Sequence, residues 1–183
     1  IKEAAFGDCI PITQYGLAKY NMNLLAQSSD NIYNLRLFGV FGKYELVNVK
    51  FLSNLCCKAM FDLPLTIRKD CYFDFLYIDD LCRIVEWALD NDLTYHDYNT
   101  CSGKEYLLSE LAEMVRRISG KELPITLLSN EKNKDYSASN KRLADELGRS
   151  GYITEMERAL EELYHFYADH KELIDYPSLK NSR

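Results

Sequence analysis

Segments rich in β-formers alternate with helical segments along this chain, and the alternation limits the folds open to it. Asn31 to Phe38 reads as a buried strand running into a loop at Gly39 and Gly42. Leu63 to Ile67 reads as a short strand, Tyr72 to Ile78 as a second extended segment, and His96 to Thr100 as a further strand. Helices are expected at about 47–60, 81–89, 107–118 (stopped by Gly120), 141–147 and 154–170. Asp79 is placed to cap the 81–89 helix, with Ile84, Val85, Trp87 and Ala88 on its buried side. Ser129 to Asn140 is polar throughout and reads as a mobile loop. The pattern means an α/β fold, with parallel pairing expected for the first two strands linked by helices. A Gly-rich dinucleotide fingerprint, which belongs after the first strand of a doubly wound domain, appears nowhere in the chain.

One short element carries possible chemistry. Tyr15 and Lys19 lie four residues apart in Tyr15-Gly16-Leu17-Ala18-Lys19. Spacing alone does not establish the pair, because fourteen tyrosines and thirteen lysines in 183 residues would give about one such pair by composition. The chain has three. Tyr167 and Lys171 end a polar helix, and Tyr176 and Lys180 flank Pro177 near the terminus, where a stable helix is not expected. Tyr15 differs in context: Pro11 and Thr13 precede a stretch with Leu17, Tyr20, Met22, Leu24 and Leu25 that reads as a partly buried helix. Tyr15 and Lys19 then share one face, a turn apart. A phenol titrates near ~10, too high for acid/base work at neutral pH until a cation favours the phenolate, which an ammonium one turn away does.

Composition narrows the function classes. The 47% apolar content suits one ordinary domain, or two lobes sharing a core, and no run approaches the ~18 apolar residues of a membrane span. A net charge of −6 with scattered Lys and Arg argues against a nucleic-acid partner. The six cysteines include no C-x-x-C pair and only His96 near any of them, so zinc is not expected, and reduced thiols in a cytoplasm are. Starting at Ile1, the sequence shows no initiator Met and no signal region, so it reads as beginning inside a longer gene product. Arg36, inside an apolar strand, needs a partner for its charge. Cys101 reads as a packed thiol, and the aromatic run at Tyr72, Phe73, Phe75 and Tyr77 as core.

The order of segments resembles the second half of an extended short-chain dehydrogenase/reductase of the NAD-dependent epimerase/dehydratase family, acting on nucleotide sugars. Tyr15 to Lys19 is similar to its Y-G-x-S-K element, and Leu35 to Gly42 to L-R-P-x-N-V-Y-G. Asp74 to Asp80 is similar to D-F-V-Y-V-D-D, Tyr98 to Gly103 to Y-N-V-G-S-G, and Leu108 to Gly120 to the helix that follows. Two departures stand out: Gly39 replaces the usual Asn, and Phe73 replaces an Arg that serves as a phosphate ligand.

The resemblance implies the C-terminal portion of a Rossmann-like doubly wound domain (residues 1–38 and 79–100) plus a small α/β substrate-binding lobe (39–78 and 101–175), then a tail at 176–183. It implies Tyr15 as general acid/base at the sugar C4 hydroxyl, with Lys19 on the nicotinamide ribose and Phe38 also at the cofactor. Gly39, Arg68, Lys69 and Asn99 are the candidate substrate contacts, although Asn99 also reads as a satisfied core amide. The Ser or Thr that orients the substrate lies upstream in the family, and Thr13 is too close to Tyr15 to replace it. NAD or NADP is implied for the full-length protein, with little or no binding expected of this piece alone. A homodimer is implied, with no metal and no membrane partner. The contrasting reading is a non-catalytic nucleotide-sugar-binding or assembly module on the same scaffold.

Overall fold

The computed structural model describes residues 1–148 and 152–182. Residues 149–151 of the expected lobe and the last residue of the expected tail lie outside these. After a 3-10 turn at Glu3–Ala5, helix α1 spans Gln14–Gln27, followed by strands β1 (Asn34–Leu37) and β2 (Gly39–Phe41) and helix α2 (Phe51–Met60). Strands β3 (Leu65–Ile67), β4 (Tyr72–Phe73) and β5 (Phe75–Tyr77) lead into α3 (Ile78–Asp90). Then come β6 (Asp97–Thr100), β7 (Tyr106–Leu107), α4 (Leu108–Ser119) and β8 (Ile125–Leu127). Helices α5 (Lys141–Leu147), α6 (Met156–Asp169) and α7 (Tyr176–Asn181) close the chain.

The fold is α/β, with strands joined in pairs: β1 with β6, β2 with β5 and β3 with β8, all parallel, and β4 with β7 antiparallel. The expected pairing of the first two strands is therefore not made; β1 lies beside β6, with Asn34 opposite Asp97 and Arg36 opposite Asn99. Three strands fall where none was expected, among them β7, Tyr106–Leu107, at the expected start of the 107–118 helix. Gly39–Phe41 forms β2 despite its flanking glycines, and Ile125–Leu127 forms β8 beside β3.

Helix α2 is the centre of the larger core. Its residues Leu52 to Ala59 are all buried, and it packs on α4 and α6, where Leu111, Val115, Leu160 and Leu163 are inaccessible to solvent. Helix α4 starts with Glu110 accepting from the Leu107 N–H at 2.9 Å and stops at Gly120, whose φ of 65° is the left-handed cap expected of glycine. A smaller cluster of Leu76, Ile84, Tyr98 and Leu143 joins β5, α3, β6 and α5. Helix α7 docks on α2 through Leu179, which is fully buried.

Four local expectations are corrected. Asp79 does not cap α3; it lies in the first turn, 3.5 Å from Lys43, while buried Asp80 accepts from the Thr154 N–H at 2.9 Å and hydroxyl at 2.6 Å. Of the expected buried side of α3, Val85 is exposed and only Ile84 is fully inside. The terminus does form a helix at Tyr176–Asn181, because Pro177 sits in the first turn, where its missing N–H costs nothing, and Asp175 accepts from the Ser178 N–H. Ser129 to Asn140 is tied to the body: the Tyr136 N–H donates to Tyr72 O, and the Asp74 N–H donates to Tyr136 O.

Candidate functional site

Helix α1 begins where Thr13 Oγ1 accepts from the Gly16 N–H at 3.1 Å. Its inner face rests on β1: Asn34 Nδ2 donates to the buried Asn23 Oδ1 at 2.6 Å, and Tyr20 stacks on Phe6 with ring centroids 4.6 Å apart. The outer face is open. Tyr15 is 75% exposed, and Lys19 Nζ stands 5.6 Å from the Tyr15 ring centroid, one turn along. Leu17, Met22, Leu24 and Leu25 are exposed as well, so the expected partial burial of this helix rests on Asn23 and Ala26 instead.

The two other Tyr-x-x-x-Lys pairs are absorbed by structure. Tyr167 is buried in the main core with its hydroxyl 3.4 Å from Ser53 Oγ, and Tyr176 packs its ring against Phe61 at 5.0 Å.

A cavity of about 1060 Å³ opens between β2, α2, β3 and the 128–136 segment. Its wall carries Lys50, Arg68 and Lys69 and, among the described residues, no carboxylate, which makes it a place for an anion. Lys69 reaches out to the exposed Glu131 at 2.5 Å. The opposite side is aromatic: Phe73 stacks on Phe75 at 4.4 Å and meets Tyr136 at 4.9 Å, and Tyr136 meets Phe38 at 5.4 Å. Four of the residues singled out from the sequence, Phe38, Gly39, Arg68 and Lys69, thus share one cavity wall. Lys50 and Tyr136 were not singled out. Both come from segments whose sequence carries no motif, and only the fold brings them to the wall.

Asn99 lies elsewhere. It is buried in β6, its side-chain amide donates to Ile1 O at 3.3 Å and Ser139 O at 3.0 Å, and its main-chain N–H donates to Glu3. Arg36 finds the partner that its position demands: its Nη2 lies 2.8 Å from Asp97 Oδ2 on the neighbouring strand. That contact is coulombic, because the two groups are not aligned as a hydrogen bond. Burial draws the Arg36 guanidinium below its ordinary range, and Asp97 acts against this.

Cys101 is fully buried, and burial, reinforced by nearby Asp74, pushes its thiol up to about 12, so it stays protonated and is no nucleophile. Among the described residues no group of His, Cys, Asp and Glu is arranged to hold a metal, and no helix is long and apolar enough to cross a membrane.

The sequence model of the NAD-dependent epimerase/dehydratase family matches residues 2–101. In structure the chain is similar to a UDP-glucuronic acid 4-epimerase of Bacillus cereus solved with UDP-glucuronic acid and NAD: 25% identity, TM-score 0.72, over 88% of this chain and 54% of that one. It is similar to a dTDP-glucose 4,6-dehydratase of Bacillus anthracis solved with NAD, at 18% identity and TM-score 0.76, over 92% and 56%. A GDP-L-fucose synthetase of Naegleria fowleri bound to NADP has TM-score 0.78 at 16% identity, over 94% and 61%. At these lower identities the likeness is one of fold. The chain spans a little more than half the length of the solved structures it matches.

Proposed function

Because the chain belongs to the NAD-dependent epimerase/dehydratase family, we propose that it is the C-terminal part of a nucleotide-sugar epimerase or dehydratase whose acid/base is Tyr15. The observation that carries this reading is the exposed Tyr15/Lys19 pair one turn apart on α1, in a chain that also holds a cavity lined by Lys50, Arg68 and Lys69. The remainder of the doubly wound domain is residues 1–38 and 79–100, and the substrate lobe is 39–78 and 101–175.

The residues present fit the nicotinamide end of a cofactor: Tyr15 and Lys19 are both open to solvent on one helix face, and Phe38 lies at the cavity edge. Lys19 would hold the nicotinamide ribose, and Phe38 would add an apolar contact to the cofactor. A bound nicotinamide supplies hydride acceptance and return at the sugar carbon. Tyr15 Oη moves the matching proton to and from the sugar C4 hydroxyl. Arg68 and Lys69 hold the diphosphate, replacing the charge that Phe73 cannot give. A cytoplasmic homodimer completes the reading, with the exposed Leu17, Met22, Leu24 and Leu25 of α1 facing the second copy; a monomer in sedimentation at high concentration would count against the dimer.

In the complete protein, Tyr15→Phe is expected to cut turnover by about 10²–10⁴-fold while leaving the fold intact. Unchanged turnover would refute the assignment. The complete gene is expected to encode a Gly-rich fingerprint about a hundred residues upstream, and the 183-residue chain alone is expected to show no turnover and at most weak NAD binding.

A second reading has its own support in Gly39 and Phe73, which remove an amide and a guanidinium from the cavity. On that reading the scaffold binds a nucleotide sugar or a protein partner without turning it over. Calorimetry on the complete protein separates the two: nucleotide-sugar binding with no NAD binding favours the second.

A further inference from the structure

We infer that Tyr136 is the specificity-determining residue of the cavity: its phenol hydroxyl bonds a hydroxyl of the hexose and so selects which nucleotide sugar is accepted. This rests on the nucleotide-sugar reading above.

Tyr136 lies in a stretch whose polar composition gives no reason for order, yet its position is over-determined. Its N–H donates to Tyr72 O at 2.9 Å, and its carbonyl accepts from the Asp74 N–H at 3.1 Å, which lays residue 136 beside Phe73 as a short parallel bridge. Its ring is then held between Phe73 and Phe38. These contacts fix the ring and need only a ring; phenylalanine would satisfy them.

The hydroxyl is therefore surplus to the packing. Tyr136 is 42% exposed into the cavity, and its hydroxyl has no hydrogen-bond partner among the described residues. A tyrosine hydroxyl at an apolar wall normally meets a partner, and binding sites use a few such fixed polar groups to orient a ligand against aromatic surface. Burial, with a lesser contribution from the Tyr15 phenol, holds the Tyr136 hydroxyl above its ordinary range, so it remains a donor at neutral pH and stands in the electrostatic reach of Tyr15. The cations Lys50, Arg68 and Lys69 serve the charged part of the ligand. A hydroxyl on the aromatic wall of the same cavity is matched to a neutral polyol, which is the chemistry of the hexose.

The test separates the two ends of the ligand. The 183-residue chain is titrated calorimetrically with UDP, dTDP and GDP, and with UDP-glucose, dTDP-glucose and GDP-L-fucose. Tyr136→Phe keeps the ring contacts and the main-chain bonds and removes only the hydroxyl. Its affinity for the preferred nucleotide sugar is expected to fall about three- to tenfold, as for one lost hydrogen bond, while affinity for the matching diphosphate changes by less than about twofold. Unchanged nucleotide-sugar affinity in Tyr136→Phe overturns the proposal, and so does an equal loss for diphosphate and sugar, which would mark a role in shaping the wall. Either result leaves the nucleotide-sugar reading standing. A wild-type chain that binds none of the six overturns this proposal, and the nucleotide-sugar reading is then decided by titrating the complete protein with the same six.

Discussion

The Phe73 ring occupies the place where a side chain on residue 39 would begin: a Cβ at Gly39 would lie 2.4 Å from Phe73 Cε1 and 2.6 Å from the main-chain oxygen of Asp74. The two departures from the family pattern are thus one spatial event, since the ring needs the glycine. The ring can swing aside, but the Asp74 carbonyl belongs to a strand connection and cannot. Gly39→Asn is expected to destabilise the chain by about 1–3 kcal/mol, and adding Phe73→Ala should recover only part of the loss. Urea unfolding of the single and double variants checks this; an unshifted midpoint for Gly39→Asn contradicts it.

Asp97 answers two cations, Arg36 at 2.8 Å and Arg142 at 2.8 Å, from a nearly inaccessible position in β6. Asp97→Asn keeps the shape but leaves two guanidinium groups facing each other. Both are partly solvated, so the expected loss is discounted to about 1–3 kcal/mol. Unfolding at low and high salt measures it, and a variant as stable as wild type would mean that solvent already screens the group.

Stability should fall in alkali. Burial raises the Cys57 thiol to about 12, whereas the unfolded chain titrates it near ~8.5. Between those values the unfolded state binds fewer protons, so the stabilisation is whole below the unfolded value and is lost as pH rises toward the folded one. Cys101 and Tyr98, also raised to about 12 by burial, act in the same direction. Cys57→Ala should flatten the decline by one proton, about 1.4 kcal/mol per pH unit. Denaturant midpoints from pH 8 to about 11 test this, and parallel slopes would refute it.

The terminal helix is expected to be structural. Lys58 is buried with no carboxylate partner among the described residues and directs its ammonium to Thr66 Oγ1 at 2.8 Å and Ser182 O at 2.9 Å, while Leu179 fills the core. Leu179→Ala should cost about 2–5 kcal/mol, read by thermal unfolding. No change would mean that α7 rests loosely on α2.

Much of this was legible in the sequence because it depends on near neighbours. Thr13 marked the start of α1, Gly120 the end of α4, and a spacing of four put Lys19 beside Tyr15. Arg36 in an apolar strand demanded a carboxylate, but only the register with β6 names Asp97. Strand β8 escaped notice because Ile125–Leu127 is too short to show a period and exists through its pairing with β3. The apolar pattern of α1 told which side chains cluster, not that Leu17, Met22 and Leu25 remain uncovered. In the cavity, Phe38, Gly39, Arg68 and Lys69 were reached through resemblance to a family, whereas Tyr136 and Lys50 arrive by tertiary contacts that no local pattern encodes.

Among the described residues, none of the four strand pairs joins strands that are consecutive in the chain, so they include no hairpin. Each of these pairings must therefore wait for distant segments to meet and must first meet the entropy of closing a long loop. Refolding should therefore begin with α2, α4 and α6 collapsing together and finish slowly with the strands. The cavity wall, built across three of those late pairings, would be among the last surfaces to acquire its shape.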